Sequence, residues 1–248
     1  MQERSKPALI VVAVAGILAM GLAGWWIGGM GVSKPQFAPA PDAAVTSAPT
    51  APVASAPLKT YPTNVEGFIQ NWLILDPIHL EGVGDHSETV EKPMFAKEYF
   101  KNQLTVIPED ETKITVAGKD LVWHKVNIDS AQIDLAQFCA DHTTDPNSCL
   151  FFGFTCIVAE DDLKNVKLAI GSDDSSVWWL NGEEVIRSYS NRAVNPDDNK
   201  SKQITLNKGL NMLRFAVIQG DGPTGACARF YDTAGKPLTS IKVTTDTP

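Results

Sequence analysis

The chain has 248 residues, 44% of them apolar, and a formal charge of −8. An apolar leader and a Pro-rich stretch leave room for one domain of roughly 180 residues, enough for a self-sufficient core but not for a second, catalytic domain. The acidic balance argues against a nucleic-acid partner, because phosphate binding needs clustered Lys and Arg.

Residues 1–7 carry Arg4 and Lys6 against Glu3, and residues 8–32 then run without a charge. As a helix, this run reaches about 37 Å, longer than the roughly 30 Å of a hydrocarbon core. Residues 1–33 are therefore expected to form a cytoplasmic tip and an uncleaved signal-anchor helix, crossing the lipid bilayer through residues 8–32 with Trp25 and Trp26 at the outer interface. Gly21, Leu22 and Ala23 form a small-x-small site, so a cleaved signal peptide is the rival reading. The basic residues ahead of the run place the N-terminus in the cytoplasm and the body of the chain outside it. Residues 34–64 then shift to Pro, Ala, Ser and Thr, a composition that cannot bury a core and favours extended polyproline conformation. Phe37 and Tyr61 are the candidate anchors of this linker on a partner's surface.

Residues 65–248 carry the signals of an extracytoplasmic all-β domain. Residues 68–75 are apolar and β-prone, and Asp76-Pro77 closes them as a turn. A short helix is expected over residues 95–103. Residues 113–116 and 121–127 flank Ala117-Gly118 as a hairpin, with Trp123 its largest packing residue. Residues 138–148 read as a loop and 150–158 as a strand. Val166, Leu168 and Ile170 alternate onto one face of the next strand, which Gly171 is expected to break. Residues 177–180 and 184–189 pair around Asn181-Gly182, the dipeptide suited to the two positive φ values of a type I′ turn. Strands at 203–206, 210–218, 226–231 and 238–243 complete the chain. Short strands at regular spacing with almost no helical periodicity indicate an antiparallel β-sandwich of jelly-roll type.

The segment at residues 171–182, GSDDSSVWWLNG, resembles the S-D-D-G-x-x-V-W-L-N-G stretch of galactose-binding-like jelly-roll modules found beside exported bacterial enzymes. Residues 72–78, Trp123, residues 133–135, the Lys208-Gly209-x-Asn211-x-Leu213 hairpin and the segment at 229–235 match further landmarks in order, with Asp76 replacing a glycine and Ser175 another. Similar S-D-D segments occur in PA14-like domains, and in some adhesins of that kind adjacent aspartates hold calcium for sugar binding. The resemblance thus implies a sandwich over roughly residues 65–245 and a calcium site at Asp173 and Asp174, whose plainer role is to satisfy backbone N–H groups in a tight turn.

Trp178 and Trp179 point to opposite faces of their strand, so one is expected in the core and the other exposed enough to stack on a sugar or enter a protein pocket. With Asp173, Asp174 and Asn181 they make up the candidate binding stretch. Cys139, Cys149, Cys156 and Cys227 are even in number, and export favours two disulfides. Cys139 with Cys149 would pin a loop and Cys156 with Cys227 would join the sheets, although spacing does not fix the pairing. Cys139-x-x-His142 with Cys149 and Cys156 offers a zinc set that export disfavours. His79, His86, His124 and His142 are dispersed, the familiar hydrolase and phosphate-loop signatures are absent, and no catalytic residue is expected.

The sequence favours a non-catalytic, membrane-anchored accessory subunit of the bacterial inner membrane, its periplasmic sandwich docked on an integral membrane-protein complex. The alternative is a carbohydrate-binding module of the cell envelope, assisted by calcium. A polar site with directed donors would favour the second and a dry, flat apolar patch the first.

Overall fold

A computed structural model describes residues 58–246. The expected anchor helix, most of the linker and Phe37 lie outside the described residues, among which no helix is long and apolar enough to cross a membrane. The elements run β1 (Tyr61–Pro62), β2 (Asn71–Leu75), β3 (Ile78–His79), α1 (Glu88–Ala96), β4 (Lys113–Val116), β5 (Lys119–Asn127), β6 (Ile133–Asp134), α2 (Leu135–Asp141), β7 (Cys149–Ala159) and β8 (Leu163–Asp173). They continue β9 (Ser175–Leu180), β10 (Glu183–Ser188), β11 (Asn199–Lys200), β12 (Ile204–Leu206), β13 (Gly209–Gln219), β14 (Gly225–Tyr231) and β15 (Lys242–Thr244).

Two antiparallel sheets face each other. The larger follows the order β10-β9-β13-β7-β2-β5-β4, and the smaller β11-β8-β14-β6 with β12 also on β8. Strand β7 is the spine of the larger sheet. Along one side it pairs with β13 from Cys149↔Gln219 to Ala159↔Gly209. Along the other side β15, β2 and β3 take it in turn, at Ile157↔Val243, Gly153↔Ile74 and Leu150↔Ile78.

Alternation along β7 sends Phe151 and Ile157 toward the small sheet and Phe152, Phe154 and Cys156 away from it. The inner set meets Val166, Leu168 and Ile170 of β8 and Ala226, Ala228 and Phe230 of β14, with Trp72, Trp178 and Phe215 as its largest members. Gly153 belongs to this face because the Phe215 ring lies over it: a Cβ built there would sit 2.2 Å from the ring. The outer set is closed over by α1 and the irregular chain after it, through Phe95 and Phe100 with Tyr99, Leu104 and Val106 at the margin.

Several expectations are refined by this packing. Gly171 does not break β8, which runs on to Asp173; its missing Cβ admits the Asn195 carbonyl, whose oxygen would lie 2.2 Å from a side chain. The helix lies at Glu88–Ala96 rather than 95–103, with Ser87 at its N-cap position and Glu91 and Phe95, one turn apart, buried. A second helix, Leu135–Asp141, replaces part of the expected loop, because the Asp134 carboxylate accepts from the Gln137 N–H at its start. Tyr61 is not a free anchor: β1 pairs with β15 at Tyr61↔Val243, and its ring packs at the edge of the inter-sheet core. The Asn181-Gly182 turn forms as expected, with φ of 53° and 85°.

All four cysteines are free and buried. Cys156 lies on the outer face of the large sheet, whereas Cys227, between the inward Ala226 and Ala228, points out of the small sheet. Both sheets stand between these two thiols, so the expected bridge across the sandwich has no geometry. Cys139 and Cys149 share the inter-sheet core as thiols rather than a disulfide, and Cys149 Sγ lies 3.2 Å and 3.1 Å from the carbonyls of Asp145 and Asn147. Burial pushes the Cys149 thiol up to about 12. Cys156 is also separated from Cys139 and Cys149 by the large sheet, and among the described residues no group of three or more His, Cys, Asp and Glu could hold a metal ion, so the zinc set does not assemble.

Candidate functional site

The Asp173–Asp174 turn joins β8 of the small sheet to β9 of the large one, through a cis peptide bond. The two aspartates part company there. Asp174 turns inward and is 4% exposed, while Asp173 is half-buried at the surface.

Asp174 is fully engaged by its own chain. Its Oδ2 lies 3.1 Å from His86 Nε2 and accepts from the Gly220 N–H at 3.4 Å, and its Oδ1 accepts from the Arg192 N–H at 3.0 Å. His86 is held on its other side by Glu91, Nδ1 to Oε1 2.9 Å, so one imidazole bridges two buried carboxylates. Gly220 makes room for it, since a Cβ there would fall 2.9 Å from His86 Nε2. Burial raises the Glu91 carboxyl above the usual range, against hydrogen bonds from Ser175 and His86 that lower it. Its Oε2 is buried without a partner.

Arg192 closes the cluster from the loop after β10. Its Nε donates to the Ser172 carbonyl at 3.0 Å, and its two terminal nitrogens donate to the Ser172 hydroxyl and to Asn199 Oδ1. The Ser172 hydroxyl lies 2.8 Å from the Asp174 carbonyl oxygen, and the Ser176 hydroxyl accepts from Trp178 Nε1 at 3.1 Å. The serines of the segment thus serve as internal polar joints.

Asp173 faces a cavity of about 440 Å³, whose lining includes Gln132, Asp134, Val194, Pro223 and Thr224. Burial, then the neighbouring Asp174 charge, pushes the Asp173 carboxyl up to about 6. The Thr224 hydroxyl donates to the Asp173 carbonyl at 2.9 Å and fixes this wall. The cavity therefore combines two carboxylates and an amide with an apolar side.

The chain has partial likenesses to solved structures. The PA14 domain of the antifreeze protein MpAFP is similar over 80% of this chain and 99% of its own, at 12% identity and a TM-score of 0.39. The PA14 sugar-binding domain of an RTX adhesin is similar over 68% of this chain and 94% of its own, at 12% identity and a TM-score of 0.35. The fold itself is an antiparallel β-sandwich, to which these PA14 domains are similar in part. An anti-sigma factor domain-containing protein is similar over 46% of this chain at 11% identity and a TM-score of 0.38, and the chain spans 38% of its length. No family model and no curated protein matches the chain. At these identities the likenesses concern the fold alone.

Of the sequence candidates, this sandwich brings Asp173 to a cavity and withdraws the others. Trp178 and Trp179 do take opposite faces, yet both are buried, at 0% and 6% exposure. The expected exposed aromatic is missing because Trp179 belongs to the outer core cluster, which also holds Phe95 and Phe100. Asn181 is structural: its Oδ1 accepts from the Met212 N–H at 2.8 Å and its Nδ2 donates to Asn211 Oδ1 at 3.0 Å. His86, Glu91 and Arg192 went unrecognised in the sequence. They lie far from Asp174 along the chain, and nothing local marks His86 among the histidines. The one available signal is general: an aspartate that becomes buried, as Asp174 does, requires polar partners.

Proposed function

We propose that the chain is a non-catalytic binding module held on the extracytoplasmic side of a bacterial inner membrane, and that the cavity beside Asp173 takes a carbohydrate. The observation that carries this reading is the cavity's composition. Asp173, Asp134 and Gln132 supply directed acceptors and donors for ring hydroxyls, and Val194 and Pro223 supply an apolar wall. Acid/base hydrolysis is a poorer fit, because Asp134 spends Oδ1 on capping α2. A glycan array followed by calorimetry on the full chain in detergent tests the proposal. Saturable binding that weakens at least about tenfold in Asp173→Asn but not in Asp161→Asn is expected. A chain that retains no glycan at millimolar concentration refutes it.

A second reading, docking on an integral membrane-protein complex, is favoured by a different observation. A groove of about 680 Å³ lies where α1 meets the end of β4, and its lining includes Ile78, Leu80, Met94, Tyr99 and Val116. It is larger than the Asp173 cavity, and these side chains give it an apolar wall on which a protein could dock. A mild-detergent pull-down from native membranes separates the readings. Stoichiometric co-migration with integral membrane proteins, lost in Leu80→Asp, supports docking, and a lone monomer removes it.

A further inference from the structure

The PA14-like resemblance implies calcium at Asp173 and Asp174, and the residues around the turn can be tested for that fit. A calcium site needs six to eight oxygens free to converge on one point. Here both oxygens of Asp174 are already accepting, from His86, Gly220 and Arg192. The Ser172 carbonyl and hydroxyl and Asn199 Oδ1, further oxygens near the turn, accept from the Arg192 guanidinium, and the Asp173 and Asp174 carbonyls accept from the Thr224 and Ser172 hydroxyls. The half-buried Asp173 carboxyl shares its cavity with Asp134, whose Oδ1 already accepts from the Gln137 N–H, and among the described residues no group of three or more His, Cys, Asp and Glu could hold a metal ion. The turn is held instead by the Arg192 guanidinium on the Ser172 and Asn199 oxygens and by His86 on Asp174.

We propose that the Arg192 guanidinium, together with the His86 ring that bridges Asp174 to Glu91, occupies the role of a metal ion at the Asp173–Asp174 turn, so that this module is assembled without calcium. Arg192 serves as a bidentate clamp on the oxygens of Ser172 and Asn199, a use that suits its planar fork. His86 fastens the turn to α1 through Glu91, so the acidic turn is joined to the layer covering the large sheet. The inference concerns the metal alone and stands whichever ligand the Asp173 cavity takes.

Calcium binding by the full chain is the direct test, read by calorimetry and by thermal unfolding in 10 mM calcium against chelator, with no sugar present. The wild-type chain is expected to give no saturable heat and a midpoint unchanged within about 1 °C. Saturable binding with a Kd of about 1 mM or tighter, in the range of extracellular calcium modules, overturns the proposal. Arg192→Gln frees the Ser172 and Asn199 oxygens and is expected to gain calcium-dependent stabilisation of about 3 °C or more, whereas Arg192→Lys remains calcium-indifferent. A folded Arg192→Gln that stays calcium-indifferent overturns that role. Should that variant fail to fold, His86→Gln supplies the same comparison from the Asp174 side.

Discussion

The large sheet buries both of its faces, but against different partners. Toward the small sheet it meets another regular surface, and the contact is made of Trp72, Trp178, Phe215 and aliphatic side chains. Away from it, the cover is one helix and an irregular stretch. Arg214 is buried there over the Phe154 ring, donating to the Val106 carbonyl, with its Nη1 unpartnered. Two pleated surfaces interlock in a repeating pattern and exclude water evenly. An irregular strap covers by individual residues, and it leaves a groove at its margin and a polar atom beneath it.

If that contrast is correct, the inner face should be the costlier to disturb. Trp178→Ala is expected to lose about 4–5 kcal/mol and Trp179→Ala about 3 kcal/mol in denaturant unfolding, since the strap can settle into the smaller gap. Equal losses would break the comparison. Gly153→Ala is expected to cost about 3 kcal/mol, because the added methyl meets the Phe215 ring in a face with no slack. Arg214→Met should act in the other direction. Burial lowers the guanidinium to about 10, a sign that its charge is held at a cost, and an apolar residue of similar length is expected to stabilise by about 1 kcal/mol.

The smallest effect is expected at the surface turn. Asp173 has a folded value of about 6 against 3.8 for the free group, so the folded state holds its proton more tightly than the unfolded chain does. The resulting stability is fully present below pH 3.8 and is lost as pH rises through about 6. Asp173→Asn removes that loss. It is expected to exceed the wild type by about 1 kcal/mol at pH 7.5, after discounting for partial exposure, and to match it at pH 3.5. Unfolding curves at the two pH values check the sign.

The β-sandwich was largely legible because its signals are local. Alternation at Val166, Leu168 and Ile170 and the Asn181-Gly182 turn depend on neighbours in sequence, and both appear where expected. The helix at Glu88–Ala96 was misplaced because it contains Pro93 and a weak apolar stripe, and its position is set by what Glu91 and Phe95 reach in the fold. The disulfide expectation failed at Cys156 and Cys227 for a related reason. Strand parity says that a residue alternates, but it does not say which side of which sheet it faces.

The sequence by itself determined the strand pattern, the hairpin turns and the acidic pair at residues 173 and 174, because each follows from periodicity or backbone preference within a few residues. Only the tertiary structure decided what surrounds that pair. It delivered His86 from the chain just before α1 and Arg192 from a loop, buried both tryptophans, and left Asp173, of the two aspartates, facing a cavity. Polar partners and covers come from segments that meet only when the sheets pack, and no local pattern records which distant side chain will arrive.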